Sequence, residues 1–430
     1  MTAAEHDHLA RSAPPASTQR VLDPSGPRGA ATLGAHVDRR GLLPEITGER
    51  LIDLVEAAGL TGRGGAAFPV ARKLRAVAGG SGAAIAIGNA AEGEPAAFKD
   101  RALLDRDPHL VLDGLTLAAR AVGAVRVFLY VHNDHRLINV VRRAVLERRA
   151  AAVDRPAIDV AVAPDRFIAG EESAVVSVIE GGEALPRSKP PRVFERGAFG
   201  RPTLVQNVET LAHVALIARY GPEWFRAVGT VDEPGTMLCS VSGAVRQPGV
   251  VEAALGTPVR QVFDAAGGLS KPIQAVLFGG YHGGWVQAAS AASLTMANDD
   301  LRPLGTALGA GVLFALPADV CGLVESARVL DYLAEESAGQ CGPCLHGLPR
   351  LAEMFDRLAA PHRPRRGART NREIDRAVEL LRQRGACNHP DGAVRFAMSS
   401  LDAFRSEIER HARGTCTATS RRPMLPTPLT

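Results

Sequence analysis

The stretch Ala84–Val131, AIAIGNAAEGEPAAFKDRALLDRDPHLVLDGLTLAARAVGAVRVFLYV, predicts a strand, a helical region and a second strand in succession. Its two ends, Ala84–Ile87 and Val125–Val131, are short apolar runs typical of buried strands. Between them, Leu110–Val122 repeats apolar residues at helical spacing, and Ile158–Val162 later adds a further strand-like run. Alternating strands and helices of this length favour an α/β domain with a parallel sheet.

The rest of the chain divides into units by composition and periodicity. Strand-like runs from Met237 onward surround a short helix at Val259–Ala266, which predicts a small β-grasp domain, and the region after it has helical periodicity typical of a bundle. Segments rich in Pro, Ser, Thr and Arg at both termini lack apolar periodicity. The predicted units are a flexible leader at 1–30, the α/β domain at 31–230, the β-grasp domain at 236–316, the helical bundle at 318–413 and a disordered tail at 414–430.

Composition excludes several classes of function. The formal net charge is only +4 over 430 residues, and no basic run interleaves with aromatic residues, so nucleic-acid binding has no support. No apolar window is long enough to span a bilayer, and the N-terminus lacks the apolar core of a secretory signal. Six unevenly spaced cysteines are too few for a disulfide framework and indicate a reducing compartment. We expect a soluble, cytoplasmic protein without direct membrane insertion.

The glycine-rich segment Gly62–Phe68, GRGGAAF, is the first candidate binding element. Glycine lets backbone N–H groups close on an anion, and an arginine adds a planar charged fork. The segment lies between two helical patterns, so it is not a dinucleotide fingerprint, and it lacks the Gly-Lys-Ser/Thr of a P-loop. A phosphate site and a ligand-free helix link both remain open from these residues.

Two acidic clusters form a second candidate binding element. Glu92 and Glu94 follow the first strand in the crevice where α/β sheets bind ligands, and Glu171-Glu172 opens a helix. These carboxylates suit hydrogen bonds from a carboxamide or a ribose, but they equally suit the N-termini of the helices that follow them.

Four segments, in order, resemble one family: the flavin-carrying, NADH-oxidising subunit of respiratory complex I and the diaphorase subunits of NAD-linked hydrogenases and formate dehydrogenases. They are Gly59–Lys73 (GLTGRGGAAFPVARK), Gly88–His109 (GNAAEGEPAAFKDRALLDRDPH), Ile168–Val214, which contains GEESAVVSVIEGG, PRSKPP and GRPTLVQNVETLAHV, and Glu336–Gly347 (ESAGQCGPCLHG), followed by Cys387.

The resemblance implies an NADH dehydrogenase that passes a hydride to FMN and then single electrons through an iron–sulfur centre. The bound cofactors carry this chemistry, so no residue is assigned as a catalytic acid, base or nucleophile. It also implies partners: NADH, a [2Fe–2S] thioredoxin-like subunit and a larger oxidoreductase complex. The cofactor-binding residues that it implies are Gly62, Arg63, Gly64, Gly65 and Lys73 around the flavin and its phosphate, Asn89, Glu92, Glu94, Glu171 and Glu172 facing the flavin and nicotinamide, Asn207 on FMN, and Phe68 stacked on adenine.

The chain departs from the family at several of these places. Ala91 replaces an acidic residue of the flavin site, and Ala67 replaces a glycine. Ala76 and Arg192 occupy positions where aromatic side chains are expected around adenine, although an arginine can stack through its planar face. The alternatives are therefore a flavin-dependent relative with another donor or acceptor, and a non-catalytic scaffold.

The cysteines carry the largest departure. The family holds a [4Fe–4S] cluster on Cys-x-x-Cys-x-x-Cys and a distant fourth cysteine, whereas this chain has Ala338 in the first position, followed by Cys341, Cys344 and the distant Cys387. Three interpretations stay open: a [4Fe–4S] or [3Fe–4S] cluster, a redox dithiol, and zinc on three cysteines plus a histidine. The candidate fourth ligands of a cluster are Ser337, His346, His389 and Cys416, while Cys239 and Cys321 are interpreted as small core residues.

Overall fold

The computed structural model describes residues 20–22, 29–360, 367–420 and 422–427. In chain order the helices and strands are α1 Leu33–Arg40, α2 Gly48–Ala58, α3 Val70–Ala78, β1 Ala84–Ala90, α4 Lys99–Arg106, α5 Pro108–Ala121, β2 Ala124–Val131, α6 His135–Ala150, β3 Ile158–Val162, α7 Glu172–Ile179, β4 Thr203–Asn207, α8 Val208–Arg226, β5 Thr236–Gly243, β6 Gly249–Ala254, α9 Val259–Ala265, β7 Ile273–Phe278, β8 Gly284–Gln287, α10 Ala288–Ala291, α11 Asn298–Leu301, β9 Val312–Pro317, α12 Gly322–Glu335, α13 Leu348–Ala359, α14 Gly367–Leu381, α15 His389–Ala403 and α16 Arg405–Ala412.

The first sheet has four strands in the order β3-β2-β1-β4, all parallel. Helices α2, α3, α5 and α8 share one core with residues of this sheet, while residues of α7 pack on its other face. Both faces are covered, which is why β1 and β2 are nearly continuous apolar runs without polar alternation. The predicted α/β domain with a parallel sheet is confirmed.

The second sheet has five strands in the order β6-β5-β9-β7-β8. Strands β5 and β9 run parallel, and the other neighbours run antiparallel. Residues of α9 share a core with one face of this sheet, and residues of β7 and β9 on the other face pack against the C-terminal helices. A mixed sheet with one packed helix is the arrangement predicted for the β-grasp domain.

Helices α12 to α16 form the predicted C-terminal helical region, with its own apolar core. Helix α13 shows the sequence signal directly, because Leu348, Leu351, Phe355 and Leu358 are all buried on one face. A single-turn π-helical segment, Pro343–Gly347, precedes α13 and contains Cys344.

Both terminal segments make contacts that their composition did not predict. In the leader, the backbone N–H groups of residues 20–22 all donate to the carboxylate of Glu252. In the tail, Leu425 is buried, and its backbone N–H and that of Met424 donate to Glu325. Buried carboxylates therefore hold the backbones of these residues, which fall in the parts of the sequence where a flexible leader and a disordered tail are expected. Residues 1–19, 23–28, 421 and 428–430, to which the same expectations applied, lie outside the described residues.

Candidate functional site

The carboxyl ends of β1 to β4 meet at one edge of the first sheet. Asn89, near the end of β1, lies opposite Asn207 at the end of β4. The Asn89 amide donates to the carbonyl of Gly170 at 2.9 Å, and a Cβ on Gly170 would lie 2.7 Å from the carbonyl oxygen of Ala91. The loops that follow β1 and β3 are therefore in direct contact, in the crevice where open α/β sheets bind ligands.

The glycine-rich segment lies between α2 and α3, close to Asn207. Its turn is closed by a hydrogen bond of 2.9 Å from the Gly62 N–H to the Phe68 carbonyl. Gly65 has a φ of +116°, which L side chains rarely adopt, and a Cβ on Gly64 would lie 3.0 Å from the Asn207 Cβ. Gly65 is thus required by its backbone conformation, and Gly64 is required by its close approach to the end of β4.

Arg63 does not supply the charged fork expected for a phosphate. Its side chain is buried and donates to the carbonyls of Thr61, Pro234 and Thr236 at 3.1–3.3 Å. Its backbone N–H donates to the Thr210 hydroxyl. The guanidinium ties the glycine-rich segment to the start of the β-grasp domain, and this part of the sequence interpretation is corrected.

A buried lysine under the glycine-rich segment was missed at the sequence level. The Lys99 ammonium donates to the Arg63 carbonyl at 2.7 Å and to the buried carboxylate of Glu209. Burial alone would lower the pKa of Lys99, but Glu209 and then Asp100 raise it overall. The signal was present, because Lys99 belongs to the quoted motif Gly88–His109, yet a lone lysine at the start of a helix does not reveal that it is buried.

Glu92 and Glu94 are both engaged in hydrogen bonds with the backbone. Glu92 accepts from the backbone N–H groups of Asp100 and Arg101 at 2.9 and 3.0 Å and so caps α4, the alternative weighed for it. Glu94 accepts from the Tyr281 N–H of the β-grasp domain at 2.8 Å. Burial raises the pKa of Glu94 to about 8, so the carboxyl is mainly protonated at neutral pH.

Glu171 and Glu172 form a charge network with two lysines. Glu171 caps α7 by accepting from the Ser173 and Ala174 N–H groups, and Lys189 donates to its other oxygen at 2.9 Å. The Lys73 ammonium lies 3.3 Å from Glu172. All four charged side chains are partly exposed, so they offer charges of both signs to a ligand at this edge.

A cleft of about 350 Å³ lies beside this network, between α7 and the segment 187–200. Ser173, Arg187, Lys189 and Arg196 contribute to its polar lining. Phe68 lies outside the cleft lining and has 40% of its surface exposed. Its aromatic ring is therefore available for stacking.

The structure brings Cys341, Cys344 and Cys387 to one place. The Sγ atoms of Cys341 and Cys344 are 3.5 Å apart. Burial raises the pKa of Cys344 to about 11, and the thiols of Cys341 and Cys387 add to the rise. The pKa of Cys387 is raised by burial first, and the charge of Glu171 contributes. The segment that leads to Cys341 contacts the loop before α7, because the Phe167 N–H donates to the Glu336 carboxylate at 2.8 Å.

Two of the four candidate fourth ligands are occupied by other contacts. His389 uses both ring nitrogens, with His282 at 3.0 Å and the Leu333 carbonyl at 2.7 Å. Cys416 lies in a group with Cys321, Glu407 and His411. Ser337 and His346 remain as candidates, and Ser337 is held near the first domain because Arg166 donates to its carbonyl at 3.0 Å.

Three family descriptions match successive parts of the chain. The Nuo51 FMN-binding domain matches residues 55–216, an SLBB domain matches 239–278, and the NADH-ubiquinone oxidoreductase-F iron-sulfur binding region matches 325–411. These ranges follow the α/β domain, the β-grasp domain and the helical region in order.

Characterised proteins align over nearly the whole chain. The F subunit of NADH-quinone oxidoreductase from Escherichia coli (strain K12) is 32% identical over 391 residues, which cover 86% of each protein. The HndC subunit of the NADP-reducing hydrogenase from Solidesulfovibrio fructosivorans is 31% identical, over 85% of this chain and 76% of that one. This chain belongs to the family of the F subunit of NADH-quinone oxidoreductase.

The solved structure of an NAD⁺-reducing [NiFe]-hydrogenase in the H₂-reduced state matches with a TM-score of 0.77 and 31% identity. The match covers 85% of this chain but only 63% of the longer hydrogenase chain. As a family member, the chain is an NADH dehydrogenase module with an FMN-binding domain and an iron–sulfur binding region, of the type that admits electrons to larger oxidoreductase complexes. Among the described residues, no helix combines the length and apolar character needed to cross a membrane.

Proposed function

We propose that this chain oxidises NADH at the carboxyl edge of its first sheet and delivers electrons through Cys341, Cys344 and Cys387 to a [2Fe–2S] thioredoxin-like subunit of a larger, cytoplasmic complex. One observation carries the proposal. The loop that leads to Glu171 beside the cleft contacts the segment that leads to Cys341, because the Phe167 N–H donates to the Glu336 carboxylate at 2.8 Å and Arg166 donates to the Ser337 carbonyl at 3.0 Å. The nucleotide side and the thiol side of the chain therefore adjoin, as a route for single electrons requires.

The residues on the flavin side fit FMN through backbone and ammonium groups. We assign the backbones of Gly62, Arg63, Gly64 and Gly65 to the approach of the flavin, and Lys73 to its phosphate. Lys73 is suited to this because it is partly exposed, and its ammonium is held at this edge by the Val205 carbonyl at 3.0 Å and by the accessible carboxylate of Glu172. When bound, FMN supplies a centre that accepts a hydride and releases electrons one at a time.

Polar side chains around the proposed flavin site position the loops at the sheet edge. Asn89 holds the loop before α7, Glu92 holds the start of α4, and Asn207 joins β4 to Asp100 with a hydrogen bond of 2.6 Å. Glu94, held on the Tyr281 N–H, fixes the β-grasp domain against this edge. We propose that these four residues orient the flavin and nicotinamide by fixing the backbone around them.

On the nucleotide side, Phe68 is assigned to adenine, and Glu171 and Glu172 to polar groups of NADH. The exposure of Phe68 and the partial exposure of both carboxylates support this assignment. Arg192 is also exposed and is available to stack where the family has an aromatic ring.

The three thiols fit an iron–sulfur group because thiolate sulfur is its usual ligand. We propose that Ser337 or His346 completes the set in place of Ala338, or that the centre is of the [3Fe–4S] type. One of the three thiols, that of Cys344, lies on a π-helical segment, a feature frequent at functional sites.

The test is the colour of the purified full chain and its response to NADH. We expect a flavin spectrum that NADH bleaches, and in Lys73→Met we expect at least tenfold less bound FMN. Arg75→Met is the matched control, because Arg75 lies on the same helix but pairs with Glu56 and Asp53. Flavin that NADH does not bleach would favour another donor, and a colourless protein would favour a scaffold.

A further inference from the structure

A second group of potential metal ligands lies outside the site described above. The ligand atoms of Cys321, Glu407, His411 and Cys416 all lie within 4.8 Å of one another. Cys321 directly precedes α12, Glu407 and His411 are one turn apart on α16, and Cys416 belongs to the tail. Cys321, Glu407 and His411 are at most 5% exposed, while Cys416 is exposed and leaves a path from solvent.

The orientation of His411 shows which nitrogen faces the group. Its Nδ1 lies 2.9 Å from the carbonyl of Leu358, which can only accept, so Nδ1 carries a proton. The Nε2 atom then points a lone pair at the Glu407 carboxylate, 3.2 Å away, and lies 3.6 Å from the Cys321 Sγ. Electron-pair donors that face one another in a buried place need either a proton or a metal cation between them, and the two cysteine sulfurs of this group favour a metal.

The neighbouring contacts are those that orient metal ligands. A ligating histidine usually donates its other N–H to a carbonyl or carboxylate, as His411 does to Leu358. Both oxygens of Glu407 are held by Thr417, whose N–H and hydroxyl donate at 2.8 and 2.6 Å. The Ala418 N–H lies 3.4 Å from the Cys416 Sγ. Each of these ligands therefore has an outer partner that fixes its direction.

The spacing matches tetrahedral zinc. With Zn–S of about 2.3 Å and Zn–N and Zn–O of about 2.1 Å, a tetrahedral site separates sulfur from nitrogen by about 3.6 Å and nitrogen from oxygen by about 3.4 Å. The corresponding distances here are 3.6 and 3.2 Å. We propose that Cys321, Glu407, His411 and Cys416 bind one Zn²⁺ as a structural site with four protein ligands.

Binding would deprotonate both thiols and release their protons, because the thiolate is the metal ligand. The metal would fasten the tail to the start of α12 and to α16. The tail already follows this course, since the N–H groups of Thr419 and Ser420 donate to the Asp319 carbonyl at 3.0 and 2.8 Å. The site is independent of the flavin and of the other three cysteines.

The test is a count of zinc and iron in the full chain by mass spectrometry of the metals. We expect about one zinc ion per chain in the parent protein. Cys416→Ser and Glu407→Gln should each lower zinc at least tenfold without changing iron, and Cys344→Ser should lower iron without changing zinc. Cys416→Ser tests the site without disturbing the bundle core, because that residue is exposed.

Three results would overturn the proposal. One is a parent chain that retains no zinc after incubation with zinc salt and dialysis. Another is zinc that survives both Cys416→Ser and Glu407→Gln. The third is zinc that disappears with Cys344→Ser, since the metal would then belong to the other cysteines. Thermal unfolding with and without a chelator gives a second readout: the chelator should lower the melting temperature of the parent chain and leave that of Cys416→Ser unchanged.

Discussion

The loops at the edge of the first sheet and the cysteine-bearing part of the helical region use their polar side chains in different ways. Around the sheet edge, Glu92, Glu171 and Asn207 all accept hydrogen bonds from the first N–H groups of helices. In the helical region, the Cys341 and Cys344 sulfurs lie 3.5 Å apart, and the thiols of Cys341 and Cys387 are held only by backbone N–H groups that donate to sulfur, a weak acceptor. Residues of the first region are therefore structural and functional at once, whereas those of the second are available as ligands.

This difference has an experimental consequence. A substitution at the sheet edge should lower the free energy of unfolding and flavin binding together, because the same contacts support both. A substitution among the three cysteines should change iron content while the flavin and the fold persist.

The largest effect is expected for Lys99→Met. Burial alone would raise the pKa of Glu209, but Lys99 and His213 lower it overall, so Glu209 is a buried carboxylate that depends on its partner. Losing one member of a buried ion pair should cost about 3–5 kcal/mol of unfolding free energy and release the glycine-rich segment, with loss of FMN. Denaturant unfolding and flavin content are the measurements. The control Lys271→Met removes an exposed ion pair with Asp319 and should change the unfolding free energy and the flavin content much less. Equal effects of Lys99→Met and Lys271→Met would contradict the structural role assigned to polar residues at the sheet edge.

Gly65→Val should abolish FMN binding, measured as flavin retained after gel filtration. The φ of +116° at Gly65 is strained for any L side chain, and most of all for a β-branched one. Gly82→Val is a matched control, because Gly82 also has a positive φ, of +88°, and no heavy atom near its missing Cβ. Full retention of flavin in Gly65→Val would remove the glycine-rich segment from the site.

Phe68→Ala should weaken the binding of NADH without altering the flavin content. Base stacking on an aromatic ring contributes on the order of 1–3 kcal/mol, so the half-saturating NADH concentration should rise by about 5- to 150-fold. Stopped-flow reduction of the flavin measures this concentration. An unchanged value would exclude adenine stacking at this residue.

Ala338→Cys should make the iron centre less labile by restoring the missing thiol. An iron held by a weaker ligand, or absent, leaves the centre more labile than four cysteines would. We expect iron loss to a chelator to slow by about tenfold, or about 1.4 kcal/mol, with EPR and sulfide counting to identify the centre. The control Gln340→Cys adds a nearby thiol that does not fit the Cys-x-x-Cys-x-x-Cys spacing and should leave the rate of iron loss unchanged. A parent chain that binds no iron while Cys341 and Cys344 titrate as a reversible dithiol would promote the dithiol interpretation.

The effect expected from Glu94 depends on pH. Its pKa is raised to about 8 in the folded chain, above the value near 4.5 of an unfolded chain, so the folded state holds one more proton between these pH values. This contribution to stability is complete below about pH 4.5 and is lost as pH rises toward 8, with a slope of at most about 1.4 kcal/mol per pH unit. Thermal unfolding of the flavin-free protein should show that stability falls less between pH 5.5 and pH 8.5 in Glu94→Gln than in the exposed control Glu45→Gln. An equal decline in the two variants would contradict the assignment.

Much of the fold was predictable because its signals are local. Strand β3 has the predicted bounds, and α9 differs from the prediction by one residue. Strands β4 and β9 were missed as elements, since Thr203–Asn207 runs into α8 without a turn and Val312–Pro317 lies next to the predicted boundary at 316. Short strands of this kind are defined by their neighbours in the sheet rather than by their own pattern.

Sequence alone determined the family, the three cysteines and the acidic clusters, because each is a contiguous pattern or a fixed spacing. Only the tertiary structure decided what the side chains contact: Arg63 binds backbone carbonyls, Lys99 is buried with Glu209, and Cys416 lies beside Cys321. The physical reason is distance along the chain. Lys99 and Glu209 are 110 residues apart, and Cys321 and His411 are 90 apart, so packing alone brings these pairs together.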